Sequence, residues 1–106
     1  MFDIQTEDLF IRQIQENDWG AFHDVQPYVM IEQTVKQVCI WARRWREGDV
    51  YSGLTVLNKG AINPIGFVIL NPGESPREIG HFTGEQKQQI SRAIKAFALA
   101  IETHGL

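Results

Sequence analysis

The sequence predicts one small α/β (α+β) domain, residues 1–106, in which helices cover both faces of a β-sheet. Two long segments, Ile31–Trp45 and Glu85–His104, carry apolar residues at helical spacing. The run Ile65–Leu70 is apolar at nearly every position, as is typical of a central strand buried on both faces. With 43% hydrophobic and 22% charged residues, the chain has the composition of a globular domain.

The first predicted elements are a strand and a short helix. Leu9–Ile14 mixes apolar, polar and β-branched residues, which predicts a strand. Asn17 and Asp18 follow it as a helix-cap signal. From Asp18 to Val25 the apolar residues fall three apart, which predicts a short helix that Pro27 ends.

The second helix has the clearest pattern in the chain. Its predicted apolar stripe consists of Ile31, Val35, Val38, Ala42 and Trp45. Gly48 stops the helix, and arginines in its last turn interact favourably with the helix dipole. Ile40 and Trp41 lie off the stripe, so they predict either additional core or an apolar face toward a partner.

Three extended segments and a helix complete the element order β-α-α-β-β-β-α. Tyr51–Leu57 and Ile65–Leu70 predict two strands joined by a turn as a hairpin. Pro76–Thr83 resumes extended character after the turn at Pro72. The last helix predicts a buried stripe made of Ile90, Ile94, Phe97 and Ile101.

Composition excludes several classes of function. A net charge of −3 gives no excess of Lys and Arg for binding nucleic acid. The longest apolar run is far too short to span a bilayer, and Met1–Phe10 is acidic rather than basic, so we expect a cytoplasmic protein without membrane contact. Cys39 is the only cysteine and the three histidines are scattered, so neither a disulfide nor a metal site is expected.

Several short stretches, taken in order, resemble the GNAT superfamily of acetyl-CoA-dependent N-acetyltransferases, and especially its ribosomal-protein acetyltransferase branch. The stretches are Leu9–Arg12 with Glu16–Asp18, Ile65–Phe67, Arg77–Phe82, Ala93–Ala96 and Thr103–Leu106. The resemblance covers nearly the whole chain and corresponds to the first two-thirds of the family fold. It implies a mostly antiparallel sheet flanked by helices, without the family's C-terminal strands.

The resemblance also implies a cofactor and a set of site residues. Acetyl-CoA would lie along the backbone of Ile79, Gly80, His81 and Phe82, with Gly84 and Ser91 near its phosphates. Glu78 would be the catalytic carboxylate that directs or deprotonates the acceptor amine. The family's glycine-rich pyrophosphate loop corresponds here to Glu85–Ile90, where its glycine positions fall on glutamines.

Three hypotheses of function follow. The first is a shortened, non-catalytic GNAT-like domain that acts by protein association, as a homodimer or with another chain. It depends on an open edge: the Arg77–Phe82 strand lacks a neighbour on one side when the strand that follows the last helix in the family fold is absent. The second is an acetyl-CoA-dependent N-acetyltransferase that acts on a protein N-terminus or a small-molecule amine. The third is a sensor that binds an acyl-CoA without turnover.

Overall fold

A five-stranded antiparallel sheet forms the centre of the fold. The computed structural model describes residues 3–104, and the side chains of residues 3–100. Gly105 and Leu106, which belong to the family resemblance, lie outside the described residues, as does the side chain of Ile101. The elements are β1 (Asp3–Gln5), β2 (Leu9–Gln13), α1 (Trp19–Val25), α2 (Ile31–Arg46), β3 (Gly53–Asn58), β4 (Gly66–Ile69), β5 (Arg77–Gly80) and α3 (Gly84–His104).

The strands lie in the sheet in their chain order, β1-β2-β3-β4-β5, and each neighbouring pair is antiparallel. This confirms the predicted antiparallel sheet and all seven predicted segments between Leu9 and His104. Strand β1 was not predicted, because three residues with one apolar side chain are too short to show a period. It pairs with β2 through Ile4 and Ile11.

Helices cover both faces, as predicted. On one face, α3 packs Ile90 and Ile94 against β2, β3 and β4. On the other face, α1 and α2 pack Phe22, Val38 and Trp41 against the sheet. All four residues of β4 are buried, which confirms the prediction of a central strand enclosed on both sides.

Helix α2 is rotated relative to its predicted stripe. Its buried residues are Thr34, Val38, Trp41 and Ala42, whereas Ile31 is 51% exposed. Trp41 is only 8% exposed and meets the ring of Phe22 edge-on at 5.4 Å between centroids. The large indole therefore belongs to the core, because an aromatic partner on α1 covers it.

Candidate functional site

Two glycines face each other where β4 begins and β5 ends. Gly66 pairs with Gly80, and Gly80 has φ +129°, a conformation that side chains rarely adopt. A Cβ on Gly80 would lie 2.9 Å from both Gly66 Cα and Ile65 O. A Cβ on Gly66 would lie 2.6 Å from Ile79 O and would collide with the ring of Phe82. Only glycine fits both positions, so this end of β5 is closely packed against β4.

Strand β5 has one edge that no strand of residues 3–104 pairs with. The hydrogen bond from Leu70 N to Ser52 O, at 2.9 Å, fixes which backbone groups of β4 face β3. By the antiparallel alternation, Arg77 and Ile79 bond to β4, while the N–H and C=O groups of Glu78 and the N–H group of Gly80 face outward. The stretch implied for pantetheine binding therefore offers unpaired backbone donors and acceptors.

The side chain of Glu78 lies on the α3 face of the sheet, because Ile79 beside it is buried on the opposite face. Glu78 lines a cavity of about 300 Å³ between β5 and α3, together with Ser91 and Lys95. The carboxylate is exposed and has no hydrogen bond or ion pair with any described residue. The fold thus brings Glu78 and Ser91 to one cavity, whereas His81 is exposed at the strand end.

A capping box begins α3. The backbone N–H of Gln86 donates to Thr83 Oγ1 at 3.1 Å, and the backbone N–H of Thr83 donates to Gln86 Oε1 at 2.9 Å. Among the described residues, the N–H groups of Gly84 and Glu85 have no partner in the protein. Two donors are therefore open to an anion at this helix start, beside the carboxylate of Glu85 in the first turn.

Gln89 connects α3 to the turn between β1 and β2. It is 2% exposed, its Oε1 accepts hydrogen bonds from Thr6 Oγ1 and Asp8 N, and its Nε2 donates to Asp8 Oδ2 at 2.8 Å. In the sequence, Gln89 stands among other glutamines, a pattern that is typical of a solvated polar helix face. Its partners lie more than eighty positions away in the chain, so no local pattern predicts them. These bonds fix the position of the helix whose start borders β5.

A second polar centre, on the α1 and α2 face, surrounds Asp18. Arg12 donates to both carboxylate oxygens, at 2.7 and 2.9 Å. Thr55 Oγ1 and the backbone N–H of Gln15 donate to Asp18 Oδ2 at 2.9 and 2.8 Å. The sequence identified Asp18 as a helix-cap signal only. With four donors in place, the carboxylate joins β2, β3 and the start of α1, and its role is structural.

Asp18 makes stability depend on pH. Burial raises its pKa, but the hydrogen bonds from Arg12, the Gln15 amide and Thr55 outweigh burial, so the pKa lies below 3.8. The unfolded chain therefore binds this proton more readily. The stabilisation is complete well above about pH 3.8 and is lost as the pH falls through that value toward the folded-state pKa. When urea unfolding is measured between neutral and acidic pH, the free energy of unfolding of Asp18→Asn should depend less on pH than that of the parent protein. An unchanged pH slope would contradict it.

Neither a cluster of metal-ligating side chains nor a membrane-spanning helix occurs in the part of the chain that the structure describes. Among residues 3–104, no three His, Cys, Asp or Glu side chains lie close enough together to hold a metal ion. None of the described helices combines the length and the apolarity that crossing a bilayer requires. The arrangement at β5 instead offers a backbone edge, a helix start and one unpartnered carboxylate.

Comparison with known proteins gives the fold. No protein-family model matches the sequence, and neither does any curated protein. A GNAT-family acetyltransferase from Bacillus anthracis superposes with TM-score 0.69 and 16% identity over 95% of this chain and 67% of its own. An acetyltransferase from Agrobacterium tumefaciens gives TM-score 0.68 and 19% identity over 100% of this chain and 70% of its own.

A third structure, a protein from Bordetella pertussis assigned to the GNAT acetyltransferases, gives TM-score 0.69 and 12% identity over 100% of this chain and 75% of its own. Identities this low establish architecture alone. The antiparallel sheet and the helices that flank it agree with the arrangement expected from the sequence resemblance. The chain therefore has the fold of GNAT-family acetyltransferases.

Proposed function

We propose that this chain binds acetyl-CoA along the outer edge of β5 and acts as an N-acetyltransferase on an amine. The observation that carries the proposal is the unpaired backbone of Glu78 and Gly80, which leads directly to a helix start with two open N–H groups. Pantetheine amides would bond to the strand edge, and the pyrophosphate would lie at Gly84 and Glu85. A cytoplasmic location is part of this proposal.

Glu78 is the residue proposed for the chemistry. Its carboxylate lies on the strand that would hold the thioester, and no described residue occupies its hydrogen-bonding capacity. It would orient the acceptor amine or take its proton, directly or through water. The ribosomal-protein acetyltransferase branch that the sequence resembles makes a protein N-terminus the first acceptor to test.

Protein association is the second candidate, and the same open edge supports it. A row of unpaired N–H and C=O groups can add a strand from another chain or from a second copy. Tyr51, which lines a cavity together with Pro76 just before β5, is 45% exposed and adds apolar surface for such a contact. A partner strand and pantetheine would compete for the backbone of Glu78, so the two functions can be separated by measurement.

Two variants at one position test the proposal. Glu78→Pro removes an outward N–H without removing a bond to β4, and proline is tolerated on edge strands in this orientation. Glu78→Ala keeps the N–H and removes the carboxylate. In calorimetric titration with acetyl-CoA, we expect micromolar binding by the parent protein and about tenfold weaker binding by Glu78→Pro. Glu78→Ala should bind normally and lose acetyl transfer by about 10²-fold or more.

Light scattering on the same samples measures association. A dimeric parent that does not bind acetyl-CoA, together with a monomeric Glu78→Pro, would replace the enzyme proposal by the association candidate. Normal binding and normal transfer by Glu78→Ala would remove Glu78 from the mechanism. Circular dichroism of each variant checks that the sheet is intact.

A further inference from the structure

The cavity between β5 and α3 has one charged side chain on each of its two walls. Glu78 lies on the strand wall and Lys95 on the helix wall, and no other charged side chain of the described residues lines this cavity. Its volume is about 300 Å³, at the lower end of the ~300–1,000 Å³ typical of small-molecule sites. The cavity therefore suits a small ligand that carries charges of both signs.

The two charged side chains do not pair with each other. The described residues form two ion pairs, and neither involves Glu78 or Lys95. Both side chains are exposed, and Lys95, like Glu78, has no hydrogen bond with any described residue. A ligand can therefore contact both charged groups without separating an existing ion pair.

Apolar side chains held by the core form the floor of this cavity. Ile90 and Ile94 line it and are only 2% and 5% exposed, because they pack against β2, β3 and β4. Pro76 adds apolar surface where the chain enters β5. Ser91 lies on the same helix face as Lys95, four residues earlier, and its hydroxyl can donate or accept a hydrogen bond. The floor is preformed, so binding requires no rearrangement of the core.

We propose that this cavity binds a free α-amino acid with an apolar side chain. The ammonium group of the amino acid bonds to Glu78, and its carboxylate bonds to Lys95 and Ser91. Its side chain contacts Ile90 and Ile94. An α-amino acid carries its ammonium and carboxylate groups on one carbon atom, so even a small molecule of this class can reach both walls.

This inference deepens the proposed function and rests on it for the chemistry, although not for binding. The amine held by Glu78 is then the acceptor of the acetyl group. Lys95 selects a free amino acid over a protein N-terminus, because the first residue of a protein has an amide in place of the carboxylate. Lys95 is thus a specificity-determining residue.

The test compares L-leucine with two probes that each lack one of its charges. Leucinamide keeps the amine and has no carboxylate, as at a protein N-terminus, whereas N-acetylleucine keeps the carboxylate and has no amine. Chemical-shift changes in nuclear magnetic resonance measure binding to the protein without acetyl-CoA. We expect saturable binding of leucine at millimolar concentrations, with shifts at β5 and α3, and about tenfold weaker binding of either probe.

Variants at the two charged residues assign each group of the ligand. Lys95→Met keeps an unbranched apolar side chain and removes the charge, so leucine should bind about tenfold more weakly while leucinamide binds as before. Glu78→Gln should weaken the binding of leucine and of leucinamide alike. Lys87→Met is the matched control, because Lys87 is an exposed lysine about two helical turns earlier on α3 and does not line the cavity.

Equal affinities for leucine and leucinamide would overturn the proposal, as would no saturable binding of leucine or equal effects of Lys87→Met and Lys95→Met. Calorimetric titration with acetyl-CoA separates this inference from the proposed function. If acetyl-CoA binds and a peptide N-terminus is acetylated while leucine does not bind, only the amino-acid site is wrong. If leucine binds as expected and acetyl-CoA does not, the acetyltransferase proposal fails and the amino-acid site stands.

Discussion

Replacement of Asp18 by alanine is expected to lower the free energy of unfolding by about 3–5 kcal/mol, as for other broken buried ion pairs. The side chains of Asp18 and Arg12 are 6% and 17% exposed, so the remaining guanidinium would keep little of its hydration. Thr55 and the Gln15 amide would lose their acceptor in the same step. Because a domain of this size has only about 5–15 kcal/mol of stability, this change removes a large part of it.

The control for Asp18 is the second ion pair of the described residues. Arg46 and Glu16 meet at 2.9 Å, but their side chains are 63% and 53% exposed. Since exposed pairs contribute about 0–1 kcal/mol, Glu16→Ala should change urea unfolding little. If Asp18→Ala and Glu16→Ala lowered the free energy of unfolding equally, the hydrogen-bonded cluster around Asp18 would stabilise the fold no more than an exposed ion pair does.

Gly80→Ala is expected to have the second large effect. Its φ of +129° would place a Cβ in a strained conformation that costs about 1–3 kcal/mol. The new atom would also lie 2.9 Å from Ile65 O and from Gly66 Cα, backbone groups that cannot move independently of β4. Such overpacking costs about 1–3 kcal/mol more. Thermal and urea unfolding should both report the loss.

Gly20→Ala is the matched control for Gly80. Gly20 lies within α1 and does not have a positive φ. A Cβ added at this position would have no other atom within 4 Å. Alanine there should stabilise the protein by about 0.5–1 kcal/mol through helix propensity. If Gly80→Ala were as well tolerated as Gly20→Ala, the close approach of β4 and β5 at this point would be wrong. The two variants thus distinguish the general effect of replacing a glycine by alanine from the effect of adding a Cβ where β4 and β5 are closely packed.

Local periodicity predicted most of the fold, because each long element carries its own pattern. The apolar run at β4 and the stripe of α3 indicate burial without reference to any partner. The same signals failed where an element is short or where an aromatic partner decides its orientation. Strand β1 offers one apolar side chain, and Trp41 faces the core because Phe22 lies there.

The candidate site was predictable only in part. Glu78 and Ser91 were selected by family resemblance, and the fold brings them to one cavity, whereas their chemical role stays a prediction. The unpaired N–H of Glu78 follows from the register of three strands, which a linear pattern does not contain.

The sequence by itself determined the element order from Leu9 onward, the buried central strand, the helices on both faces and the resemblance to the GNAT fold. These properties depend on contacts between near neighbours in the chain and on the burial period of each segment. Only the tertiary structure decided the roles of Gln89 and Asp18. Both are polar residues whose environment is built by distant segments, and the free energy of a buried polar group depends on which partners those segments supply.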